Sequence, residues 1–309
     1  MNQALAIFAA LAEPTRLRIF GLLRAMELAI GELALVLGQS QPRVSRHVKI
    51  MADAGILRRR REGAWVFLGL GDAAVVAPLL AALDAWNGGE AVADIARLAA
   101  VRAERARAAE EYFNAHAAEW DAMRSLHVAE SEVEAAIRAA LAGASVGRLV
   151  DIGTGTGRMI ALLGGAAVRV TGVDRSPEML RLAREKVFSA GLKNVELHQG
   201  DMAALPLPAG CADTAVIHQV LHYAPAPEAV IAEASRLLAP GGRLLVVDFA
   251  PHEHEEFRTR HAHARLGFSD AQMAAWFAAA GLEGAPPTAL AGGALTVKLW
   301  LGHASERKT

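Results

Sequence analysis

From about Arg148 onward, six short apolar stretches recur with helically spaced segments between them: RLVDIG, VRVTGVD, VELHQGD, TAVIHQV, GRLLVVDF and LTVKLWL. Each intervening helix carries the chain back to the edge where its strand began, so successive strands run parallel. This alternation predicts a doubly wound, mostly parallel sheet with helices on both faces.

The first strand candidate runs into LVDIGTGTGRMIALL (149–163), where Gly153, Gly155 and Gly157 separate an apolar strand from the apolar spacing of a helix. Glycine at such a turn lets the backbone take left-handed angles and approach a ligand closely. Two common nucleotide loops do not fit. A P-loop needs Gly-Lys-Ser/Thr after the glycines, and none follows. The dinucleotide fingerprint needs its third glycine where Arg158 stands. What remains is three glycines at spacing two after Asp151, with Asp174 ending the next strand candidate. A carboxylate there can accept hydrogen bonds from both hydroxyls of a ribose. A plain strand-to-helix turn, with Asp174 as a turn acid, is the alternative.

Taken with QGDMAALPLP (199–208) and PGGRLLVVDF (240–249), this loop resembles the first motif of class I S-adenosylmethionine-dependent methyltransferases. The resemblance covers residues 111–309 and implies a Rossmann-like class I methyltransferase fold holding S-adenosylmethionine or S-adenosylhomocysteine. It implies contacts from Asp151, Gly153, Thr154, Gly155, Gly157, Asp174, Arg175, Met179 and His218. It also implies Asp201 at the adenine amino group and Met202 against the ring. EEYFNAHAAEWDAMRSLH (110–127) resembles the helical lid that precedes such pockets, with Tyr112, Phe113 and Trp120 as contacts. Aromatic residues at helical spacing also suit ordinary core packing.

Methyl transfer from a sulfonium is an in-line displacement. Positioning supplies much of its acceleration, and a base is needed only where the acceptor must lose a proton. Candidate bases are His218, His222 and Tyr223, after the fourth strand candidate. Further histidines, His252, His254, His261 and His263, follow in PHEHEEFRTRHAHARLGF (251–268). The Asn/Asp-Pro-Pro-Tyr motif of amino-methylating nucleic-acid enzymes is missing, because that position reads HQVLHY. The cysteines of arsenite methyltransferases are missing too. The i, i+2 histidine pairs suit a loop or strand and gather no obvious further ligand. They are expected at the surface or the acceptor site, and no metal is expected.

Upstream the texture differs. EPTRLRIFGLLRAM (13–26) opens with Pro14, whose missing N–H does no harm in a first helical turn. GELALVLG (31–38) ends at Gly38, and SQPRVSRHVKIMADAG (40–55) is capped by Ser40 and stopped by Gly55. Val44, Val48 and Met51 share one helical face and are expected to be buried. Gln41, Arg43, Ser45, Arg46, His47 and Lys49 lie on the other faces or at the exposed start. GILRRRREGAWVFLGL (55–70) reads as two strands joined at Glu62-Gly63, and AAVVAPLLAALDAWN (73–87) as an apolar helix.

Between Gly38 and Gly63 stand seven Lys and Arg against two acids, in a chain whose formal net charge is only −1. Such concentrated basic charge marks a nucleic-acid interface. Strands alternate faces, so only two of Arg58 to Arg61 can meet one partner; Arg58 and Arg60 are expected on phosphates. Order and spacing over residues 1–88 resemble the winged helix-turn-helix of the ArsR/SmtB family. The resemblance implies double-stranded operator DNA as partner. It also implies a homodimer, made through the first helix and the 73–87 helix, with recognition helices one DNA turn apart. The cysteine motif of metal-sensing members is missing where MELAIGELA (26–34) stands.

At 309 residues, with 53% apolar and 21% charged side chains, the chain suits more than one buried core. The expected organisation is a DNA-binding and dimerisation domain (1–88), a helical connector (89–110) and a cofactor-binding domain (111–309). Cys211 is the only cysteine. That excludes a disulfide within the chain and a cysteine zinc site, and it fits a reducing cytoplasm. No basic leader precedes the first apolar run and no uncharged stretch reaches membrane-span length, so a soluble cytoplasmic protein without a membrane partner is expected. The leading expectation is a regulator that senses S-adenosylmethionine or S-adenosylhomocysteine and represses genes of the methionine and S-adenosylhomocysteine cycle. The alternative is an active small-molecule methyltransferase that autoregulates its operon.

Overall fold

The computed structural model describes residues 2–62, 65–86, 91–116, 129–291 and 295–306. The chain divides into two compact units, Met1–Arg105 and Ala106–Thr309.

In the first unit, α1 (Asn2–Leu11) precedes α2 (Pro14–Ala25), and the Glu13 carboxylate accepts the Arg16 N–H at 2.9 Å to cap α2. A two-residue strand, β1 (Leu28–Ala29), leads into α3 (Ile30–Leu37) and α4 (Gln41–Asp53). Gly38 closes α3 in the left-handed region and returns its N–H to the Ala34 and Leu35 carbonyls. Ser40 takes the N-cap position of α4, but its hydroxyl caps nothing; its carbonyl accepts the Arg43 and Val44 N–H groups. Val44, Val48 and Met51 are buried, as 3.6-residue periodicity requires.

β2 (Leu57–Glu62) and β3 (Trp65–Leu70) form an antiparallel hairpin with Arg59 opposite Leu68 and Arg60 opposite Phe67. β1 pairs with the other edge of β3, giving the order β1-β3-β2. At two residues it is too short for any periodicity to reveal. α5 (Ala73–Trp86) follows, then α6 (Ala91–His116), which continues past the boundary between the units. Asp94 and Leu98, one turn apart near the start of α6, are each 4% exposed. Arg18 of α2 grips Asp94 through two N–H···O bonds of 2.7 Å. The side chains of Tyr112 and Phe113, and Trp120 altogether, lie outside the described residues.

The second unit begins its described course with α7 (Glu130–Ala140), then β4 (Gly147–Ile152), α8 (Arg158–Leu163), β5 (Ala167–Asp174) and α9 (Pro177–Ser189). β6 (Val195–Gln199), β7 (Ala212–His218), α10 (Pro227–Leu237) and β8 (Leu238–Phe249) complete the alternation. α11 (Glu256–His261), α12 (Asp270–Ala279), β9 (Leu282–Gly284), β10 (Thr288–Ala291) and β11 (Thr296–Ala304) close the chain. All six strand candidates are strands. The sheet order is β10-β11-β8-β7-β4-β5-β6, with β9 also on β11. The five strands β6-β5-β4-β7-β8 are parallel, and β11 joins β8 antiparallel.

The central strands feed two cores in strict alternation. Val150, Ile152, Ala215, Ile217, Leu244 and Val246 face α10 and α12. Leu149, Val216, Leu245 and Val247 face α7 and α8. Burial on both faces explains why these strands read as unbroken apolar runs. The chain winds outward in both directions from β4, so the strand order reverses there. Ligands of open α/β sheets bind at the carboxyl ends of the strands flanking such a point. Among the described residues no helix is long and apolar enough to cross a membrane.

Candidate functional site

The carboxyl ends of β4, β5 and β7 open onto one pocket. Its walls are Asp151, Gly153, Thr154, Gly155, Arg158, Met159, Asp174, Met179, His218, Gln219 and Val220. The loop after β4 is fixed from below. Gly153 and Thr154 both donate their N–H to the Val173 carbonyl, at 2.8 and 2.9 Å. The Thr154 hydroxyl donates to Asp151 Oδ2 at 2.5 Å. Gly153 has φ +70°, and a Cβ there would lie 2.6 Å from Val220 Cγ1. Glycine is therefore required on two counts, conformation and space.

Asp174 sits at the end of β5 with both oxygens directed inward. Oδ2 accepts the Gly155 N–H at 2.8 Å and Oδ1 the Ser176 N–H at 2.9 Å. Burial pushes this carboxyl above its ordinary value, against the backbone N–H groups of Ser176, Gly155 and Arg175. With three backbone N–H groups on its acceptor sites, the carboxylate keeps one site for a further donor.

Of the residues expected to hold a cofactor, Asp151, Gly153, Thr154, Gly155, Asp174, Met179 and His218 line this pocket. Gly157, Arg175, Asp201 and Met202 do not. Gly157 has φ +82°, and a Cβ there would lie 3.2 Å from Ala183 Cβ, so this glycine lets α9 approach α8. Arg175 lies 3.7 Å from Asp201, both well exposed, and Met202 packs against the core beside β7. Arg158, Met159, Gln219 and Val220 had no signal in the sequence. The Arg158 guanidinium is held by Glu130, 3.2 Å away, and by Glu134, both on α7.

The candidate bases separate. His218 reaches the pocket wall, whereas His222 and Tyr223 are buried away from it, at 2% and 3% exposure. His222 Nδ1 lies 2.7 Å from Asp248 Oδ1, and the His222 N–H donates to the other Asp248 oxygen at 3.2 Å. His263 packs with its ring centroid 4.0 Å from that of His222, tilted by 31°, and is itself buried, so it is not a surface histidine. His252, His254 and His261 surround Phe257 in the same aromatic cluster. Among the described residues no three His, Cys, Asp or Glu side chains are placed to hold a metal ion.

In the first unit, Gln41, Arg43, Arg46 and Lys49 are exposed on α4 and Ser45 is half-buried. Lys49 is paired with Asp53 at 2.7 Å. His47 turns the other way, 3.6 Å from Glu13. Hairpin alternation divides the arginines differently from expectation. Arg58 and Arg60 both reach Glu27, at 3.1 and 2.9 Å, and Arg60 also lies over the Phe67 ring. Arg58, Arg59 and Arg61 are exposed and Arg60 is half-buried. The carboxylate that claims the first pair is about thirty residues away in sequence, so spacing alone could not reveal it.

Residues 11–60 match the family model for a helix-turn-helix domain, and residues 145–284 the model for a methyltransferase domain. A phosphatidylethanolamine N-methyltransferase of Cereibacter sphaeroides is 40% identical over 111 residues, 36% of this chain and 54% of its own length. A demethylmenaquinone methyltransferase of Thermus thermophilus is 39% identical over 106 residues, 34% of this chain and 48% of its own. The chain thus spans about half the length of these curated relatives. A SAM-dependent methyltransferase of Thermotoga maritima shares the fold at TM-score 0.50 and 20% identity, over 63% of this chain and 99% of that one. This chain joins an N-terminal helix-turn-helix domain to a C-terminal, Rossmann-like methyltransferase domain.

Proposed function

We propose that the chain is a DNA-binding transcriptional regulator of the ArsR type that responds to S-adenosylmethionine or S-adenosylhomocysteine. The relatives act as methyltransferases, and the pocket fits the nucleoside part of such a cofactor. Asp174 would hold the ribose hydroxyls, while the Gly153–Gly155 backbone leaves room for close approach. When bound, S-adenosylmethionine supplies an electrophilic methyl group; the residues of this chain orient it and exclude water.

The observation that carries the regulatory reading is α6. Its first turns are fastened to the reader through Arg18 and Asp94, and its later residues belong to the second unit. Arg18 also points an N–H at the Leu37 carbonyl, 3.5 Å away, at the end of the helix preceding the recognition helix. A ligand-dependent bias on α6 therefore has a direct route to α3 and α4. The reader would work as a cytoplasmic homodimer. Leu5 and Phe8 of apolar α1 are each 64% exposed, a face suited to a second copy. Arg43 and Arg46 would meet operator DNA, and the regulated genes would be those of the methionine and S-adenosylhomocysteine cycle.

A second reading is an active methyltransferase that autoregulates its operon, with His218 on the pocket wall as its candidate proton acceptor.

The test is fluorescence anisotropy with duplex DNA from upstream of the gene, titrated with protein at saturating levels of each cofactor form. Cofactor is expected to shift DNA affinity by roughly fivefold or more, and DNA must shift cofactor affinity by the same factor. Unchanged DNA affinity with either form refutes the sensor. Labelled methyl appearing in a small-molecule product supports the second reading.

A further inference from the structure

Glu27 stands in the turn between α2 and β1 and is only 9% exposed, although acids are mostly found in water. Its two oxygens are divided between arginines of the β2–β3 hairpin. Oε1 accepts an N–H of Arg58 at 3.1 Å, and Oε2 one of Arg60 at 2.9 Å. The hairpin is shaped for this contact at both positions. Opposite Arg58 stands Gly69, where a Cβ would lie 3.0 Å from Arg58 Nε and 3.1 Å from Glu27 Oε1. Opposite Arg60 stands Phe67, whose ring carries the Arg60 guanidinium at 5.2 Å. Desolvating a carboxylate offsets much of what such pairing contributes, so fold stability alone is a weak reason for it.

The groups that Glu27 holds are the groups a DNA phosphate binds. β2 carries four consecutive arginines, Arg58 to Arg61. Phosphate contacts position a protein on DNA without reading its sequence. Each adds about 0.9 to the salt slope and about fivefold to affinity near physiological salt. A carboxylate bonded to two guanidinium groups stands where phosphate oxygens would stand. The Arg58 side chain remains 60% exposed, so a phosphate that approaches it competes with Glu27. Two kinds of DNA complex feel this competition unequally. In a complex held by charge alone, any available guanidinium finds a phosphate. On an operator, α4 fixes the docking through its exposed Gln41, Arg43 and Arg46, and the hairpin adds less. Withholding two arginines therefore weakens the indiscriminate complex more, and discrimination is the difference between the two.

We propose that Glu27 is a specificity-determining residue of the DNA reader: it occupies Arg58 and Arg60 in place of a phosphate and so suppresses sequence-independent binding. The inference rests on the DNA-binding reading above and does not depend on the cofactor.

Fluorescence anisotropy of the full chain on two duplexes tests it, one from upstream of the gene and one of equal length with the sequence shuffled, across roughly 50 to 200 mM salt. Glu27→Gln keeps the shape and removes the charge. It is expected to tighten binding to the shuffled duplex about fivefold or more and to steepen its salt slope by about 0.9 to 1.8, the equivalent of one or two phosphates. The upstream duplex gains less, so the ratio of the two affinities falls. Adding Arg58→Ala and Arg60→Ala to Glu27→Gln should return the slope to its wild-type value. Unfolding midpoints report whether each variant is folded. Should Glu27→Gln fail to fold, Glu27→Asp keeps the charge, shortens the reach and is expected to give a smaller change of the same sign. Unchanged or weakened binding of the shuffled duplex by the folded variant overturns this inference alone, as does an equal gain on both duplexes or a slope that stays steep without the two arginines. A wild-type chain that binds neither duplex overturns the DNA-binding reading, and this inference with it.

Discussion

Replacing Gly153 with alanine adds one methyl group at the position where the loop after β4 crosses β7. Two penalties combine. A left-handed backbone bearing a Cβ costs about 1–2 kcal/mol. The new atom would sit 2.6 Å from Val220 Cγ1 and 2.8 Å from Cγ2, and overpacking of this kind adds about 1–3 kcal/mol. Val220 cannot easily yield, because it is 7% exposed and packed in the core beneath the sheet. The expected loss is therefore about 2–5 kcal/mol. Gly143→Ala separates the two terms: its φ is +90°, but nothing lies within 4 Å of the added Cβ, so it should lose only the conformational part. Urea unfolding followed by tryptophan fluorescence measures both, from midpoint shifts at constant slope. Adding Val220→Ala to Gly153→Ala should recover part of the loss, as a favourable coupling in a double-mutant cycle. If Gly153→Ala proves no worse than Gly143→Ala, or Val220→Ala recovers nothing, the close approach is not enforced and the reasoning fails.

Three further outcomes follow from the same structure. Because Arg58 and Arg60 are engaged by Glu27, Arg59→Ala should lower the salt slope of DNA binding by about 0.9 while Arg60→Ala leaves it unchanged; the reverse result would return the phosphate role to Arg60. Asp94→Asn loses the charge that Arg18 grips, weakening that junction by about 1.5–3 kcal/mol. The cofactor-induced change in DNA affinity should shrink towards none, and an undiminished change would show that α6 does not carry the signal. Asp174 has a raised pKa in the unliganded chain, and ribose hydroxyls need its ionised form. Calorimetry should thus find cofactor affinity falling as pH drops through that raised value. Unliganded stability takes the opposite sign, since a raised carboxyl contributes stability at low pH that is lost as pH rises through the folded value. Asp174→Asn should flatten both profiles, and an unaltered pH dependence in that variant would acquit Asp174.

Much of this architecture is written in local pattern. The buried face of α4, the ends of α3 at Gly38 and α2 at Pro14, and all six strand candidates follow from spacing and from the stereochemistry of glycine and proline. So do Asp151, Gly153, Gly155 and Asp174 as one site, because a strand, a tight turn and a helix put them within a single loop's reach. These features depend on the backbone and on neighbours a few residues away, which is the range over which sequence periodicity acts. Where the interaction is between distant segments, the same reasoning has nothing to act on. Glu27 claims Arg58 and Arg60, Ala183 gives Gly157 a packing role, and Asp248 draws His222 away from the pocket. The antiparallel β9–β11 edge and the left-handed backbone of Gln219 are of the same kind. Gln219 adopts a conformation its own side chain disfavours because the β7–β8 register imposes it. Charge pairing, close packing and imposed strain are set by which surfaces meet in space, and only the folded chain brings those surfaces together.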